Sequence, residues 1–253
     1  MAEKHFFEQQ EYTRLYLIPY FHRQIPNFEN LKILEIGCGE AGLMDVFSEM
    51  GIRTVGVELE PSRVEIARQK NPHLNIRVGD ITDPKIQESL GEKYDLIIMR
   101  DVIEHIPDRE AAFTHLYQLL QDSGYLYITF PPRFSGFAGH QQNGKTLLRY
   151  LPYLHLLPVF LINFFGNLFH ERPGVIRAVV ENYQIGLTIR TFKKYCRRHQ
   201  FSLIKGDLYL SRPIYQIRFN APVIKIPDIP LLREFLAFGC ECLLQKISTE
   251  QHR

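Results

Sequence analysis

Short apolar runs alternate with helical patterns of about ten residues between positions 31 and 130. The apolar runs cover residues 31–36, 53–57, 75–78, 94–99 and 124–130, and the helical patterns cover residues 42–50, 61–70 and 108–120. This alternation predicts right-handed βαβ units and a parallel sheet with helices on both faces. Because ligands bind at the carboxyl ends of such strands, functional side chains are expected after Ile36, Val57, Val78, Met99 and Phe130.

The chain has 253 residues, of which 45% are apolar and 23% are charged, and this is enough to build one core. We expect a single domain over residues 1–253, with an N-terminal helical lid at 1–28 and an apolar insertion at 131–186. A helix is predicted over residues 4–24. Beyond the insertion, residues 188–199, 201–210, 231–238 and 240–246 are predicted as helix, strand, helix and strand.

Residues 151–169, within the insertion, contain no Lys, Arg, Asp or Glu. Nineteen such residues approach the length of a membrane span, but Pro152, Pro158 and Asn163 would interrupt the helix and leave polar groups in hydrocarbon. A buried or lid-like element is therefore favoured over a span. The pattern leaves open whether this segment is an acceptor lid, a homodimer contact, or a peripheral membrane or lipid contact.

Charge and cysteine content argue against several classes of protein. The net charge of +2 and the lack of a long Lys/Arg run argue against nucleic acid as a partner. The four cysteines form no CxxC pair and have no histidines at zinc spacing, which argues against a zinc site and a disulfide framework. Since no signal-peptide pattern follows Met1, we expect a cytoplasmic protein, with peripheral attachment to a membrane left open.

A glycine-rich turn follows the first predicted strand, with Gly37, Gly39 and Gly42 in the spacing GxGxxG and Cys38 within it. Glycines let a nucleotide-like ligand approach the main chain, but NAD and FAD proteins use the same spacing. Glu35 discriminates between these ligands. A carboxylate at this position repels a diphosphate and suits a ligand that carries an ammonium and a sulfonium.

Acidic residues also follow the second and third predicted strands. Glu58, twenty-one residues after Gly37, is placed to accept both hydroxyls of a ribose, with Leu59 beside it. Asp80 and Ile81 follow the third strand, where they are placed to contact an adenine, and a purely turn-forming Gly-Asp pair is the alternative. Three acids after three successive strands therefore indicate a ligand with a cationic part, a ribose and an adenine.

With these residues the chain resembles the class I S-adenosylmethionine-dependent methyltransferases. Motif I corresponds to residues 35–42, and residues 94–106 (YDLIIMRDVIEHI) are similar to the fourth-strand segment of ubiquinone-type O-methyltransferases. The resemblance implies a Rossmann-like α/β fold with a seven-stranded, mostly parallel sheet, whose last strand, near 240–246, is antiparallel. It also implies S-adenosyl-L-methionine as cofactor, S-adenosyl-L-homocysteine as product, and Arg100 as a further cofactor-binding residue.

Asp101, Glu104 and His105 form an Asp-x-x-Glu-His group, which in the ubiquinone-type enzymes can hold a divalent ion. Here a structural or substrate-shaping role is favoured over a metal site, because acid-histidine pairs at helix starts are often hydrogen-bonded fixtures. His105 and His140 are the candidate catalytic residues, since each follows a predicted strand and histidine is the usual base near neutral pH. His155 is expected to pack inside the insertion.

Together these features predict a methyltransferase whose partner is a small-molecule acceptor, with O-methylation of a hydrophobic, aromatic or lipid-linked compound as the leading interpretation. Three alternatives stay open. They are N- or C-methylation of a different small molecule, a catalytically silent relative that serves as an interaction module, and a NAD-dependent oxidoreductase. The last of these shares the glycines and Glu58 but leaves Glu35 unexplained.

Overall fold

The computed structural model describes residues 2–247 and has an eight-stranded sheet at its centre, in the order β3-β2-β1-β4-β5-β8-β6-β7. Met1 and residues 248–253, which belong to the predicted domain, lie outside the described residues. The strands are β1 (Ile33–Ile36), β2 (Thr54–Glu58), β3 (Asn75–Val78), β4 (Tyr94–Arg100), β5 (Leu120–Phe130), β6 (Phe201–Ser211), β7 (Ile224–Ile226) and β8 (Gly239–Lys246). The strand order reverses between β1 and β4, which places a ligand crevice at their carboxyl ends.

Helices cover both faces of the sheet. They are α1 (Ala2–Tyr12), α2 (Ile18–Gln24), α3 (Gly42–Glu49), α4 (Pro61–Lys70), α5 (Ile86–Leu90), α6 (Arg109–Leu119), α7 (Val159–Leu168), α8 (Pro173–Ile185), α9 (Ile189–Arg198), α10 (Pro213–Phe219) and α11 (Leu232–Leu236). Between residues 31 and 130 the predicted bounds of α4 and β3 are confirmed without change, and most others differ by one or two residues. Helix α5 was not predicted, and β5 begins four residues before its predicted start.

The parallel arrangement of β1 to β5 and the antiparallel closing strand β8 are both confirmed. The predicted number of strands is wrong, because the described residues form eight strands rather than seven. The additional strand, β7, is a three-residue edge strand that pairs antiparallel with residues 208–211 of β6. It lies between Pro222 and Pro227, and so short a run between prolines shows no recognisable strand pattern.

Strand β1 separates two apolar cores. Leu34 and Ile36 face the core that includes residues of α6 and α9, whereas Ile33 faces the core formed with α2 and α3. Glu35 lies on the Ile33 face, because side chains alternate along a strand, and it is only 2% exposed. The Glu35 carboxylate therefore lies within an apolar layer, directly before the first βα turn.

The predicted N-terminal helix is confirmed, with one interruption. It consists of α1, a π-helical turn at Thr13–Leu17, and α2. Pro19 lacks the N–H that an α-helix would direct to the carbonyl of Leu15, and the wider turn accommodates this missing bond. Phe21 docks the segment onto the sheet through an edge-to-face contact with Tyr127 of β5, at 5.0 Å between ring centroids.

The insertion at residues 131–186 folds into 3-10 turns followed by α7 and α8. It has a small core of its own, formed by Leu148, Leu154, Ile162, Ile176 and Val179. Among residues 2–247, no helix reaches the length and apolarity that a bilayer span requires.

Candidate active site

A cleft of about 390 Å³ opens at the carboxyl ends of β1 to β4, and we call it the strand-end cleft. Several predicted residues line it, namely Gly37, Glu58, Leu59, Asp80, Ile81, Arg100 and His105. Its wall also includes residues that the sequence analysis did not single out, among them His5, Gln9, Tyr12, Arg63 and Arg212. The predicted residues Glu35, Cys38, Gly39, Gly42 and His140 are not on its wall.

The glycine turn uses glycine where the backbone is left-handed or crowded. Gly37 has φ +71° and Gly39 has φ +60°, a region that other residues rarely adopt. A Cβ atom on Gly37 would lie 2.3 Å from Cγ2 of Val102, so the turn passes close to the segment that follows β4. Cys38 points into the core instead and is fully buried. The turn therefore presents main chain, rather than side chains, to the strand-end cleft.

Glu58 ends β2 and directs its carboxylate back toward the glycine turn. Its Oε2 accepts a hydrogen bond from the Gly39 N–H at 2.8 Å, and its Oε1 accepts one from the Glu60 N–H at 3.0 Å. Glu58 is largely buried yet lines the cleft. Two backbone donors fix the carboxylate while each oxygen keeps capacity for a further donor, so the geometry suits the predicted ribose contact.

Asp80 follows β3 and also closes a turn of its own. Its Oδ1 accepts hydrogen bonds from the N–H and from the hydroxyl of Thr82, both at 2.8 Å. Asp80 therefore has the turn-forming role that the sequence left open as the alternative to an adenine contact. It also lies on the wall of the strand-end cleft. Ile81 is buried beside it, whereas Leu59 is well exposed. An adenine contact by Asp80 stays a prediction.

Glu35 is paired with Arg100, the last residue of β4. The distance between Arg100 Nη2 and Glu35 Oε1 is 3.2 Å, and the other oxygen of Glu35 has no hydrogen-bond partner among residues 2–247. Burial raises the pKa of Glu35 to about 7, against the lowering effect of Arg100. Arg100 rather than Glu35 lies on the cleft wall, so a ligand would reach this carboxylate through the arginine. The sequence pattern did not reveal the pairing of the two side chains. A contact between Glu35 and a cationic ligand stays a prediction.

Helix α1 closes over the glycine turn through Gln9. The Gln9 side-chain amide donates to the Cys38 carbonyl at 3.3 Å and accepts from the Gly42 N–H at 2.9 Å. A Cβ atom on Gly42 would lie 2.3 Å from the carbonyl oxygen of Phe6, so the close approach of α1 requires glycine there. The N-terminal helix therefore contacts motif I directly.

An ionic cluster joins α1 to α4 at the rim of the cleft. Glu40 accepts from His5 of α1, and its carboxylate lies 2.8 Å from Nη2 of Arg63 in α4. Burial opposes ionisation, but His5 and Arg63 lower the pKa of Glu40 to about 2. Because His5 and Arg63 both line the strand-end cleft, this cluster fixes the rim from two elements.

Asp101 is held in a left-handed backbone conformation by Arg212, which follows β6. Asp101 has φ +53°, and its two carboxylate oxygens accept from Arg212 Nη2 at 2.6 and 2.7 Å. The Arg212 side chain passes Gly239 so closely that a Cβ there would lie 2.7 Å from Arg212 Cγ. Partial desolvation at the cleft wall opposes ionisation, but the Arg212 guanidinium lowers the pKa of Asp101. Asp101 is therefore committed to an ion pair rather than presented as a metal ligand.

A different set of three side chains converges next to this ion pair. Glu104, His105 and His140 each bring one ligand atom within 4.8 Å of the others. Neither carboxylate oxygen of Glu104 has a hydrogen-bond partner within the described part of the chain. Burial beside the Asp101 carboxylate raises the pKa of Glu104 well above its usual range. The donor set fits a divalent ion, but without one the raised pKa favours a protonated Glu104.

His105 and His140 lie against one another, with ring centroids 5.1 Å apart. Burial lowers the pKa of both imidazoles, and for His140 the neighbouring His105 reinforces the effect and the pKa falls to about 4. Both are therefore neutral at pH 7 and able to accept a proton. His105 lines the strand-end cleft, whereas His140 lies in a small adjoining cavity that shares Asp101 and Arg212 with the cleft.

The loop after β5 positions His140 through local polar contacts. His140 has φ +57°, and its N–H donates to the Phe137 carbonyl at 3.1 Å. The Gln141 side chain donates to two backbone carbonyls of the insertion, both at 3.0 Å. The prediction that His155 packs inside the insertion is confirmed, since it is fully buried with Nε2 2.8 Å from the Arg133 carbonyl.

The sequence matches the methyltransferase domain family over residues 9–172, more than half of the chain. The chain belongs to this methyltransferase family. The membership decides between the methyltransferase and the NAD-dependent oxidoreductase interpretations of the glycine turn, in favour of the former.

Two curated relatives of this methyltransferase are named ubiquinone biosynthesis O-methyltransferase. The one from Bartonella quintana is 30% identical over 129 residues, which make up 49% of this chain and 51% of that protein. The one from Mesorhizobium japonicum is 28% identical over 127 residues, with the same shares of 49% and 51%. The chain thus spans about half the length of the curated relatives it matches.

Two solved structures share the fold of this methyltransferase. Magnesium protoporphyrin IX methyltransferase from Synechocystis PCC 6803, solved with bound S-adenosylhomocysteine, gives a TM-score of 0.54 at 17% identity and covers 95% of this chain and 84% of that one. An S-adenosylmethionine-dependent methyltransferase from Mesorhizobium loti gives 0.57 at 12% identity, covering 90% and 96%. The predicted Rossmann-like methyltransferase fold is therefore confirmed.

Proposed function

We propose that this methyltransferase uses S-adenosyl-L-methionine to methylate an oxygen atom of a hydrophobic, aromatic or lipid-linked small molecule and releases S-adenosyl-L-homocysteine. The observation that carries the proposal is the pair of neutral histidines beside the strand-end cleft. The same cleft holds Glu58 and Asp80. It therefore combines carboxylates that can accept hydrogen bonds from a nucleoside with a base for the hydroxyl group that is to be methylated.

S-adenosyl-L-methionine, when bound, supplies a methyl group on a positively charged sulfur. In this chain Gly37 would bring the main chain close to the cofactor, and Glu58 would accept the ribose hydroxyls. Asp80 would border the adenine. Glu35, reached through Arg100, would help to hold the methionine part, because a nearby ammonium group favours the ionised form of a carboxylate whose pKa is about 7.

The acceptor side of the site favours oxygen. A hydroxyl group must lose its proton as the new bond to carbon forms, whereas a neutral amine attacks through its lone pair before any proton leaves. His105 lines the cleft and is neutral, so it can take that proton. The ionised Asp101 carboxylate, which opposes the lowering of the His105 pKa by desolvation, would stabilise the imidazolium that results.

A divalent ion is not needed for this chemistry. If one takes part, Glu104, His105 and His140 would be its ligands, and it would assist by favouring the ionised form of the acceptor hydroxyl. The capture of Asp101 by Arg212 removes one carboxylate of the Asp-x-x-Glu-His group from such a site. We therefore assign the histidine pair to proton transfer.

Calorimetry with S-adenosyl-L-homocysteine tests the cofactor half of the proposal. We expect the wild type to bind, and Glu58→Ala to weaken binding roughly a hundredfold, because two hydrogen bonds to a charged group are lost. Glu60→Ala is the matched control, since Glu60 is an exposed carboxylate two residues further on, and its affinity should stay close to that of the wild type. Absence of binding by the wild type would contradict the proposal.

Transfer of a labelled methyl group to a soluble catechol and to an aromatic amine tests the acceptor half. We expect an O-methylated catechol and little methylated amine. Methylation of the amine alone would favour the N-methyltransferase alternative. Tight binding of S-adenosyl-L-homocysteine with no transfer to any extracted metabolite would favour the catalytically silent relative.

A further inference from the structure

Helix α7 carries exposed apolar side chains that the strand-end cleft does not use. Its ten residues include no charged side chain. Phe160, Phe164 and Leu168 follow one another at intervals of four, which places them along one side of the helix. With Val159 they are between 44% and 70% exposed, and we call these four residues the α7 stripe. The other side of α7 packs on α8 through Ile162 and Gly166.

The exposed charges of the insertion that carries the α7 stripe are mainly basic. Among residues 131–186, Lys145, Arg149, Arg172 and Arg177 are exposed, whereas Glu181 on α8 is the exposed carboxylate and Glu171 the buried one. Glu171 is buried and accepts hydrogen bonds from backbone N–H groups of residues 145, 146 and 172, at 2.8 to 3.0 Å. Because the Glu171 charge is directed inward, four exposed cations stand against one exposed carboxylate, and the surface of the insertion carries a net positive charge.

We propose that the α7 stripe docks on a bilayer surface that contains anionic lipids. A helix that lies in the interface gains from the burial of Phe and Leu side chains and from the attraction between flanking Lys or Arg and lipid phosphates. A symmetric contact with a second copy would instead bring the same basic residues together and would be repulsive. The combination of an uncharged stripe and a basic surround therefore fits a membrane better than a second chain.

The structure connects α7 to the candidate base through α8. Gly166 of α7 and Ile176 of α8 are so close that a Cβ on the glycine would lie 2.7 Å from Cδ1 of the isoleucine. Further along, α8 packs against the 3-10 turn at Ile103–His105, and Asn182 lies beside His105. Resting on the proposed function, this arrangement would bring a lipid-linked acceptor from the docked membrane toward His105.

Co-sedimentation of the full chain with vesicles tests the docking. We compare vesicles made of equal amounts of phosphatidylcholine and phosphatidylglycerol with vesicles of phosphatidylcholine alone, and expect the anionic ones to bind at least about tenfold more strongly. Phe160→Ser combined with Phe164→Ser should lower that binding roughly tenfold or more. Lys145→Glu combined with Arg149→Glu should remove the preference for anionic vesicles. Leu203→Ser, at an exposed position on β6, is the matched control and should bind as the wild type does.

Three outcomes would overturn the docking. The wild type could bind neither kind of vesicle, or the Phe160/Phe164 variant could bind as well as the wild type. In the third outcome, the wild type binds no vesicles but forms a dimer in vesicle-free buffer, and the Phe160/Phe164 variant is monomeric. That result would assign the stripe to a contact with a second copy.

Methyl transfer to a soluble catechol, measured without vesicles for every variant, separates the two proposals. The stripe variants should retain wild-type transfer, which also shows that they fold. Vesicle binding without any transfer by the wild type would contradict the proposed function alone. Transfer without vesicle binding would contradict the docking alone.

Discussion

The strand-end cleft and the insertion are built by different means. In the cleft, the sheet delivers the functional groups, because parallel strands end at one edge and place Gly37 and Glu58 side by side. In the insertion a single buried carboxylate, Glu171, gathers backbone N–H groups from two separate turns. Register therefore fixes the first region, whereas local polar contacts fix the second, and the two should respond differently to the same kind of change.

The histidine pair stands at the border of these regions and gives the largest expected effect. His105 follows β4, and His140 belongs to the loop that leads into the insertion. We expect His105→Ala to lower kcat roughly 10²- to 10⁴-fold, as for the loss of a general base. The effect of His140→Ala should be smaller, because His140 lies in the adjoining cavity rather than on the cleft wall. Steady-state kinetics at saturating cofactor measure both, and calorimetry should show little change in affinity for S-adenosyl-L-homocysteine.

A chelator provides the control for this prediction. Treatment with EDTA should leave the rate unchanged, and a loss that Mg²⁺ restores would instead identify Glu104, His105 and His140 as metal ligands. A fall of less than about threefold in both histidine variants would contradict a role in proton transfer.

The pH dependence of kcat/KM sharpens the difference between the two histidines. A base must be neutral, so activity is lost as the pH falls through its pKa in the folded protein. Burial lowers the pKa of both histidines, to about 4 for His140, and the acid limb should therefore lie below the ordinary histidine value of about 6.5. A pH–rate profile measures it. A limb above that value would contradict a base whose pKa is lowered by desolvation.

Glu171→Gln should loosen the insertion and leave the strand-end cleft intact. Burial opposes ionisation, but hydrogen bonds from Thr146 and from backbone N–H groups lower the pKa of Glu171 from its ordinary 4.5 to about 2. Because the folded pKa is depressed, this stabilisation is present above pH 4.5 and is lost as the pH falls toward 2. The shift corresponds to about 3 kcal/mol at neutral pH.

Hydrogen exchange measures this effect region by region. Amides of the insertion should exchange faster in Glu171→Gln at pH 7, and those of β1 to β4 should not. Glu181→Gln is the control, since Glu181 is an exposed carboxylate on α8. Equal acceleration across the whole sheet would show that the two regions unfold as one unit.

The sequence predicted the strand-end region well because its signals are local. Strand alternation and a proline at the first turn of α4 are contained within short windows, and the acids are found by counting from strand ends. Gln9 and Arg212 carry no such signal. Arg212 reaches Asp101 across 111 residues, and only the tertiary fold brings them together. Likewise, the pairing of Glu35 with Arg100 depends on the parallel register of β1 and β4.

The insertion was predicted only as an apolar segment. Its run of uncharged residues hides the two-sided character of α7, because both the buried side and the exposed side are apolar. The helix bounds of α7 therefore had no charged side to mark them. The sequence indicated a buried or lid-like element rather than a bilayer span, and the exposed side of α7 fits a lid-like element better than a buried one.

Alanine substitutions of two glycines at helix starts give the smallest expected changes, which are changes in the free energy of unfolding. A Cβ on Gly42, at the start of α3, would lie 2.3 Å from the Phe6 carbonyl oxygen, and backbone cannot move aside as a flexible side chain would. Gly42→Ala should therefore destabilise the protein by about 1–3 kcal/mol. A Cβ on Gly174, in the first turn of α8, would meet nothing within 4 Å among residues 2–247, so Gly174→Ala should stabilise by about 0.5–1 kcal/mol.

Urea unfolding of the two variants measures the free energy of unfolding and so compares the glycine turn with the insertion by means of the same Gly→Ala substitution. Opposite signs are expected because α1 is packed backbone to backbone on motif I, whereas the start of α8 faces solvent. S-adenosyl-L-homocysteine affinity distinguishes the cause in Gly42→Ala: displacement of α1, whose residues Gln9 and Tyr12 line the cleft, should weaken binding as well as stability. If Gly42→Ala loses neither, α1 is held by the Gln9 and Glu40 contacts alone, and the N-terminal helix is a lid that can lift without disturbing the glycine turn.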